Sequence, residues 1–124
     1  MDMYAENILD HFQNPRHKGT LSAATISVEE VNPLCGDKLS LDLIIENGSI
    51  KDMAFSGSGC AISQASMSMV AEELNGKSLE EAEKLSKDTI YELLGVPISP
   101  ARVKCAILSY ALLKKSLILL KHQS

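Results

Sequence analysis

The alternation of apolar and polar residues over residues 38–45 is the feature that most constrains the fold of this chain. Its apolar positions fall on one face of an extended segment and comprise Leu39, Leu41, Leu43 and Ile45. Strict alternation is typical of a strand that is buried on one face only. The Asn47-Gly48 pair that follows favours a two-residue hairpin turn, and apolar residues between 50 and 55 supply the returning strand. Together with a β-branched segment at residues 25–31, this pattern predicts a small three-stranded antiparallel sheet.

Helical periodicity flanks the predicted sheet on both sides. Signals for helices cover residues 3–12, the stretch from Gly59 to Asn75-Gly76, a segment that begins with a capping box at Ser78, residues 88–94, and residues 100–121. The last is expected to be one long helix with core positions at Val103, Ala106, Ile107, Tyr110, Leu113 and Leu117. The sequence therefore predicts an α+β domain over residues 1–124, with the sheet packed against several helices and a long C-terminal helix.

Composition excludes several classes of function. The 124 residues are 45% hydrophobic, which is enough to build a core. A net charge of −4 opposes binding to nucleic acid, and the absence of Trp leaves little surface for base stacking. No apolar run approaches the roughly 20 residues of a membrane span, and Asp2 and Glu6 stand where a signal peptide carries positive charge. We therefore expect a cytoplasmic protein with neither nucleic acid nor membrane as a partner.

Three cysteines stand at predicted junctions between elements. Cys35 lies between two strands, two residues before Asp37. Cys60 follows Gly57-Ser58-Gly59 at a helix start, where the macrodipole favours a thiolate and the glycines let a ligand approach the backbone. Cys105 lies early in the last helix beside the basic residue Lys104. An odd number of cysteines with no export signal predicts thiols rather than disulfides.

Three thiolates and the Asp37 carboxylate form a four-ligand set for zinc or for iron. Soft sulfur ligands suit zinc and iron-sulfur clusters, while one hard oxygen ligand weakens the hold on a soft metal. A purely structural zinc site would more naturally use four thiolates or a mixture with histidine, so the carboxylate indicates reversible occupancy. The alternative is that the cysteines are inert buried hydrophobes in a binding module.

Four segments together resemble the iron-sulfur cluster scaffold proteins of the IscU, SufU and NifU N-domain family. They are Asp10–Arg16, Asn32–Asp37, Gly57–Ser63 and Pro100–Ala106. The resemblance implies a SufE/NifU-like fold and a scaffold, rather than an enzyme, that builds a [2Fe-2S] cluster. It implies that Cys35, Cys60 and Cys105 bind the cluster or metal, with Asp37 as a labile fourth ligand. The implied partners are a cysteine desulfurase, an iron donor and apo-protein clients, and Cys35 or Cys105 is the implied acceptor of persulfide sulfur.

Two departures separate the chain from individual branches of that family. IscU proteins usually have histidine where this chain has Lys104, and their Leu-Pro-Pro-Val-Lys stretch for a dedicated Hsp70 is replaced here by residues 99–104. The order Arg-Val-Lys-Cys resembles the SufU branch, yet SufU proteins usually carry an insertion for which this chain is too short. The resemblance thus leaves a second interpretation, a zinc-bound SufU-type persulfide acceptor for a cysteine desulfurase.

The remaining reactive side chains are expected to have structural roles. His11 is predicted to be a surface or capping residue rather than a ligand. The methionines at 53, 67 and 69 are interpreted as core residues. The charged run over residues 80–87 is predicted to be a solvated helix face. Arg102 and Lys104 either are surface charges or offset the negative charge of a cluster bound by thiolates.

Overall fold

The fold is an antiparallel meander followed by helices, seen in a computed structural model that describes residues 3–32 and 36–123. Helix α1 (Met3–Gln13) precedes strands β1 (Ile26–Asn32), β2 (Asp37–Glu46) and β3 (Ser49–Ser58). Helices α2 (Ala61–Leu74), α3 (Leu79–Glu83), α4 (Lys87–Leu94), α5 (Val103–Ala106) and α6 (Leu108–Gln123) follow, with a 3₁₀ turn at Pro100–Arg102. The sheet order is β1-β2-β3. The predicted α+β class and the three-stranded antiparallel sheet are confirmed.

The central hairpin forms as its sequence pattern predicts. Strand β2 pairs with β3 in a register that sets Leu41 opposite Phe55, and both side chains are buried. At the turn Asn47 and Gly48 have φ angles of 52° and 75°, the left-handed pair that a type I′ turn requires. The alternation ends earlier than predicted, because a register irregularity after Ile44 leaves Ile45 only half-buried.

Both edges of the sheet are covered by other parts of the chain. The segment after α1 lies beside β3, where Phe55 N–H donates to the His17 carbonyl at 2.9 Å and Gly19 N–H donates to the Phe55 carbonyl at 2.7 Å. At the opposite edge the Lys115 ammonium of α6 donates to the Glu29 carbonyl of β1 at 2.9 Å. These contacts occupy backbone groups that an edge strand would otherwise present to another chain.

Helix α2 occupies the centre of the molecule. It packs against α1 on one side and against α5 and α6 on the other, and it also contacts β3. Nine of its fourteen residues are buried, so the helix has no wide solvent face. Met67 and Met69 are among them, and Met53 is buried on β3, which confirms the interpretation of the methionines as core residues.

The C-terminal region differs from the single long helix that the sequence predicts. Pro100 begins a 3₁₀ turn, α5 is one turn long, and Ile107 leaves helical geometry with φ −96° and ψ 5° before α6 begins. Of the predicted core positions, Ala106, Leu113 and Leu117 are buried, whereas Val103, Ile107 and Tyr110 are half-buried. Helix α6 is still the longest helix among the described residues, at 16 residues.

The shorter helices begin with serine caps. Ser78 Oγ accepts a hydrogen bond from Glu81 N–H at 3.1 Å, which is half of the predicted capping box. Both halves of such a box are present at α4, between Ser86 and Thr89. The charged residues over 80–87 are exposed, as predicted. Within the described ranges, the chain contains no helix with the length and apolar character needed to cross a membrane.

Candidate metal centre

Three of the four predicted site residues converge at one point. Asp37 is the first residue of β2, Cys60 immediately precedes α2, and Cys105 lies in α5. One ligand atom from each lies within 4.8 Å of the other two. Residues 37, 60 and 105 are far apart in sequence, so only the tertiary fold gathers them. Cys35, the fourth predicted residue, lies outside the described residues.

Asp37 is a buried carboxylate held by the start of α2. Asp37 is only 1% exposed, and its Oδ1 accepts a hydrogen bond from Cys60 N–H at 2.9 Å. A buried carboxylate needs such partners because its desolvation is costly. The second oxygen, Oδ2, lies 3.8 Å from Cys60 Sγ. One oxygen is therefore fixed to the backbone while the other faces the thiol, an arrangement suited to monodentate coordination.

Cys60 occupies the N-cap position of α2. Its backbone is extended, with φ −74° and ψ 163°, and its side chain makes no capping hydrogen bond. Ser63 stabilises the first turn of α2, because its hydroxyl donates to the Cys60 carbonyl at 3.0 Å. The residue is half-buried whereas Cys105 is buried, so Cys60 is the more exposed of the two described cysteines. The positive end of the helix dipole favours negative charge bound at this position.

Two glycines let the end of β3 pass close to the start of β2. A Cβ atom on Gly59, whose φ is 136°, would lie 2.1 Å from Asp37 Oδ1. A Cβ atom on Gly57 would lie 2.1 Å from the Lys38 carbonyl oxygen. The sequence predicted these glycines to admit a ligand to the backbone. In the structure the group that approaches Gly59 is the carboxylate of Asp37, so glycine is required here to place a site residue.

Cys105 provides the buried side of the centre. Cys105 is fully buried, whereas the nearby residues Lys104 and Arg102 are exposed. The short helix α5 that carries Cys105 is bounded by the 3₁₀ turn on one side and by the irregular residue Ile107 on the other. This interruption, which the sequence did not predict, makes α5 a separate one-turn helix that carries the thiol.

His11 contradicts its predicted surface role. It is 4% exposed, and its Nδ1 lies 2.8 Å from Ser68 Oγ on α2. Burial lowers the pKa of His11, and the nearby Arg16 guanidinium lowers it further. The apolar neighbours Leu9 and Phe12 are instead exposed. One signal was available in the sequence: His11 follows the buried Ile8 by three residues and so shares its helix face.

The three described donors fit either zinc or a thiolate-bound iron cluster. Two sulfurs and one carboxylate oxygen satisfy three positions of a tetrahedral site. The two thiols select soft metals, and the single oxygen provides a weaker, more exchangeable ligand. No other group of three or more His, Cys, Asp and Glu side chains arranged to hold a metal ion was found among the described residues.

This chain is similar to known proteins in both sequence and fold. The family model described as "NifU-like N terminal domain" matches residues 3–123. The "Zinc-dependent sulfurtransferase SufU" of Bacillus subtilis (strain 168) is 37% identical over 130 residues, covering 91% of this chain and 88% of its own. The "Iron-sulfur cluster assembly scaffold protein IscU" of Thermotoga maritima is 38% identical over 131 residues, covering 93% and 92%. A crystal structure of a putative iron-sulfur cluster assembly scaffold protein for the SUF system from Fervidobacterium islandicum AW-1 superposes with a TM-score of 0.78 at 30% identity, covering 90% and 94%.

Alignment length shows that some relatives are longer inside the matched region. Both sequence alignments exceed the 124 residues of this chain, so each relative has residues that this chain lacks. One of these relatives is named SufU and the other IscU. The shorter length of this chain therefore does not separate the two branches.

Proposed function

The chain belongs to the family of NifU-like N-terminal domains, and from this premise we propose that it is a scaffold for iron-sulfur cluster assembly. The observation that carries the proposal is the convergence of Asp37, Cys60 and Cys105, whose ligand atoms lie within 4.8 Å of one another. The names of the Thermotoga maritima and Fervidobacterium relatives support the same function. Residues 1–124 would act as a single scaffold domain.

We assign Cys35, Cys60, Cys105 and Asp37 as the ligands of a transient [2Fe-2S] cluster, which is cargo rather than a resident cofactor. Asp37 is suited to be the exchangeable ligand, because Oδ1 keeps its hydrogen bond to Cys60 N–H while Oδ2 is released. A carboxylate that leaves the metal therefore remains partly satisfied in the protein interior. The half-exposed Cys60 gives the site an opening through which cargo can pass.

Sulfur would arrive as a persulfide on the active cysteine of a cysteine desulfurase. An acceptor thiolate attacks the outer sulfur, a new S–S bond forms, and the partner's cysteine leaves as a thiolate. Cys35 and Cys105 are the candidate acceptors. Cys105 is fully buried, so transfer to it requires a local opening of α5. Two electrons from an external reductant would then convert the outer sulfur of the persulfide to sulfide, iron would come from a donor protein or pool, and apo-protein clients would receive the finished cluster.

The second candidate function is that of a zinc-bound persulfide acceptor. It is favoured by the 37% identity to a relative named zinc-dependent sulfurtransferase and by a donor set that zinc accepts in tetrahedral geometry. In this role the same four residues would hold zinc, and the chain would be the substrate that accepts sulfur from the desulfurase. Either role makes the protein a carrier, with at most the sulfur-transfer activity of its persulfide.

Metal analysis and reconstitution distinguish the two functions. Protein purified anaerobically is analysed for bound zinc and iron, and is then incubated with iron and sulfide. A scaffold develops visible absorption from a thiolate-bound cluster and passes that cluster to an apo-protein. A zinc-bound acceptor retains one tightly held zinc and forms no cluster. Variants Cys35→Ser, Cys60→Ser and Cys105→Ser should each lose metal uptake, and full uptake by all three would refute both functions.

A further inference from the structure

We infer that Ser66 and Ser109 position the Cys105 thiol by holding open the helix break that follows it. The inference rests on the proposed function in one respect, since it takes Cys105 to be a metal ligand. Neither serine belongs to the predicted ligand set, and both lie in the protein interior, with exposures of 1% and 0%. They connect α2 with the junction between α5 and α6.

The break leaves a carbonyl group to which Ser66 binds. In an uninterrupted helix the Ala106 carbonyl would accept the N–H of Tyr110. Here α5 ends at Ala106, and Ile107 has φ −96° and ψ 5°. The hydroxyl of Ser66 donates to the Ala106 carbonyl at 2.9 Å. The helical hydrogen bonds from Ile107 N–H to the Val103 carbonyl and from Ala111 N–H to the Ile107 carbonyl are still made, at 3.1 and 3.0 Å, so the interruption is local. Insertion of a side chain into the helical hydrogen-bond ladder is a recognised cause of such an interruption.

The direction of the hydrogen bonds follows from the number of protons available. The Ser66 hydroxyl has one proton, which the Ala106 carbonyl receives. Ser109 Oγ lies 2.6 Å from Ser66 Oγ, so Ser109 must donate in this pair. The chain of bonds therefore runs from Ser109 through Ser66 to the carbonyl of the residue next to Cys105. All three groups are buried, so the loss of one partner leaves another unsatisfied.

Helix α2 thereby supports both described cysteines of the site. Cys60 is the N-cap of α2, and Ser66 lies six residues further along the same helix. Because Ser66 is bonded next to Cys105, this one rigid helix sets the separation of the two thiols. Without the bond, Ala106 and Tyr110 are free to form a regular helical turn, which would rotate Cys105 relative to Cys60.

Ser116 offers a matched control within α6. It is also 0% exposed, but its hydroxyl donates to the Leu112 carbonyl of its own helix at 2.8 Å. Its replacement by alanine removes a buried hydroxyl of the same type without breaking a contact between helices. A comparison of Ser66→Ala with Ser116→Ala therefore separates the positioning role from the general cost of altering the core.

The test is an anaerobic titration of the full chain with Co²⁺, a probe that binds thiolate and carboxylate donors and reports thiolate ligation through charge-transfer absorption. We expect Ser66→Ala to bind Co²⁺ about tenfold more weakly, with less charge-transfer absorption per bound ion because Cys105 is displaced. Ser109→Ala keeps the bond from Ser66 to Ala106, and a loss of about threefold is expected. Ser116→Ala should match the unmodified protein in affinity and spectrum.

The outcomes separate this inference from the proposed function. If the unmodified protein shows no thiolate charge-transfer band, the metal centre itself is refuted and the inference with it. If the unmodified protein shows the band and Ser66→Ala binds Co²⁺ with the same affinity and spectrum, the inference alone is overturned. Circular dichroism checks the fold of each variant. Should Ser66→Ala fail to fold, Ser109→Ala decides, because unchanged affinity and spectrum in that variant would overturn the positioning role.

Discussion

Two of the three buried serines of helix α2 bind neighbours on opposite sides of the helix. Ser66 holds the break between α5 and α6 beside Cys105, whereas Ser68 holds the N-terminal helix through His11 Nδ1 and Arg16 N–H, each at 2.8 Å. The two serines lie roughly 200° apart around the helix axis, which explains why they serve different sides. We call these two sides the site face and the N-terminal face of α2.

The two faces differ in the chemistry of their partners. On the site face Ser66 and Ser109 are bonded to each other and to a carbonyl, and none of these groups titrates near neutral pH. On the N-terminal face Ser68 is bonded to His11, a side chain that can take up a proton as the pH falls. One helix therefore holds the backbone beside Cys105 through groups that do not titrate, while its other side carries a titratable contact, and we expect the two faces to act independently. Variants on each face test that independence.

The largest effect is expected on the site face, from Gly59→Ala. The new methyl group would lie 2.1 Å from Asp37 Oδ1 in a backbone conformation with φ 136°, so the hydrogen bond from Cys60 N–H to Asp37 must distort. Combined strain and overpacking should lower the free energy of unfolding by about 2 to 4 kcal/mol. Metal affinity should fall as well. Chemical denaturation and Co²⁺ titration measure the two effects.

Gly76→Ala is the control for backbone strain in that experiment. Gly76 also has a positive φ, 87°, but a Cβ atom there would meet no other atom within 4 Å. Its cost should be about 1 to 2 kcal/mol, and metal binding should be unchanged. Equal losses of stability and of metal affinity in both variants would show that the contact with Asp37 has no special importance.

A smaller effect is expected on the N-terminal face, from Ser68→Ala. The change leaves the His11 ring and the Arg16 amide without their shared partner, at a cost of about 1 to 2 kcal/mol. Amide hydrogen exchange should accelerate in α1, while Co²⁺ affinity stays within twofold of the unmodified protein. A parallel loss of metal affinity would break the independence of the two faces. Ser116→Ala again serves as the matched variant.

Local patterns in the sequence predicted the elements that depend on neighbouring residues. The hairpin at Asn47-Gly48 forms as predicted because alternation and turn chemistry are both local signals. The placement of Asp37, Cys60 and Cys105 at element ends was also readable, and the family resemblance indicated that they meet. Their actual proximity required the fold, since nothing in the spacing of the cysteines fixes the path of the chain between them.

Two of the predictions that were wrong involve polar contacts between distant residues. The break at Ile107 follows from a bond between Ser66 and Ala106, 40 residues apart, and no helix-ending residue marks it in the sequence. The burial of His11 follows from its bond to Ser68, 57 residues away. Periodicity counts histidine and serine as polar and assigns them to the surface, so it misses polar residues that pair with each other in the interior.

The smallest effect is a pH dependence confined to the N-terminal face. Burial, and then the Arg16 guanidinium, hold the pKa of His11 below its ordinary value near 6.5, while the carboxylates of Glu72 and Asp10 act in the opposite direction. The unfolded chain therefore binds a proton at a higher pH than the native protein does. Stability should be fully present above about pH 6.5 and should decline as the pH falls below it.

His11→Asn removes this titration while keeping a polar group near the position of Nδ1. One proton limits the effect to a slope of about 1.4 kcal/mol per pH unit, and the variant should lose that slope below about pH 6.5. The measurement is urea denaturation at a series of pH values. His122→Asn, a change at an exposed position in α6, should keep the slope. Protonation should also loosen α1 first, because a protonated His11 Nδ1 can only donate, so the Ser68 hydroxyl proton can no longer use that nitrogen as an acceptor. An identical pH profile in His11→Asn and the unmodified protein would show that His11 does not cause the pH dependence of stability.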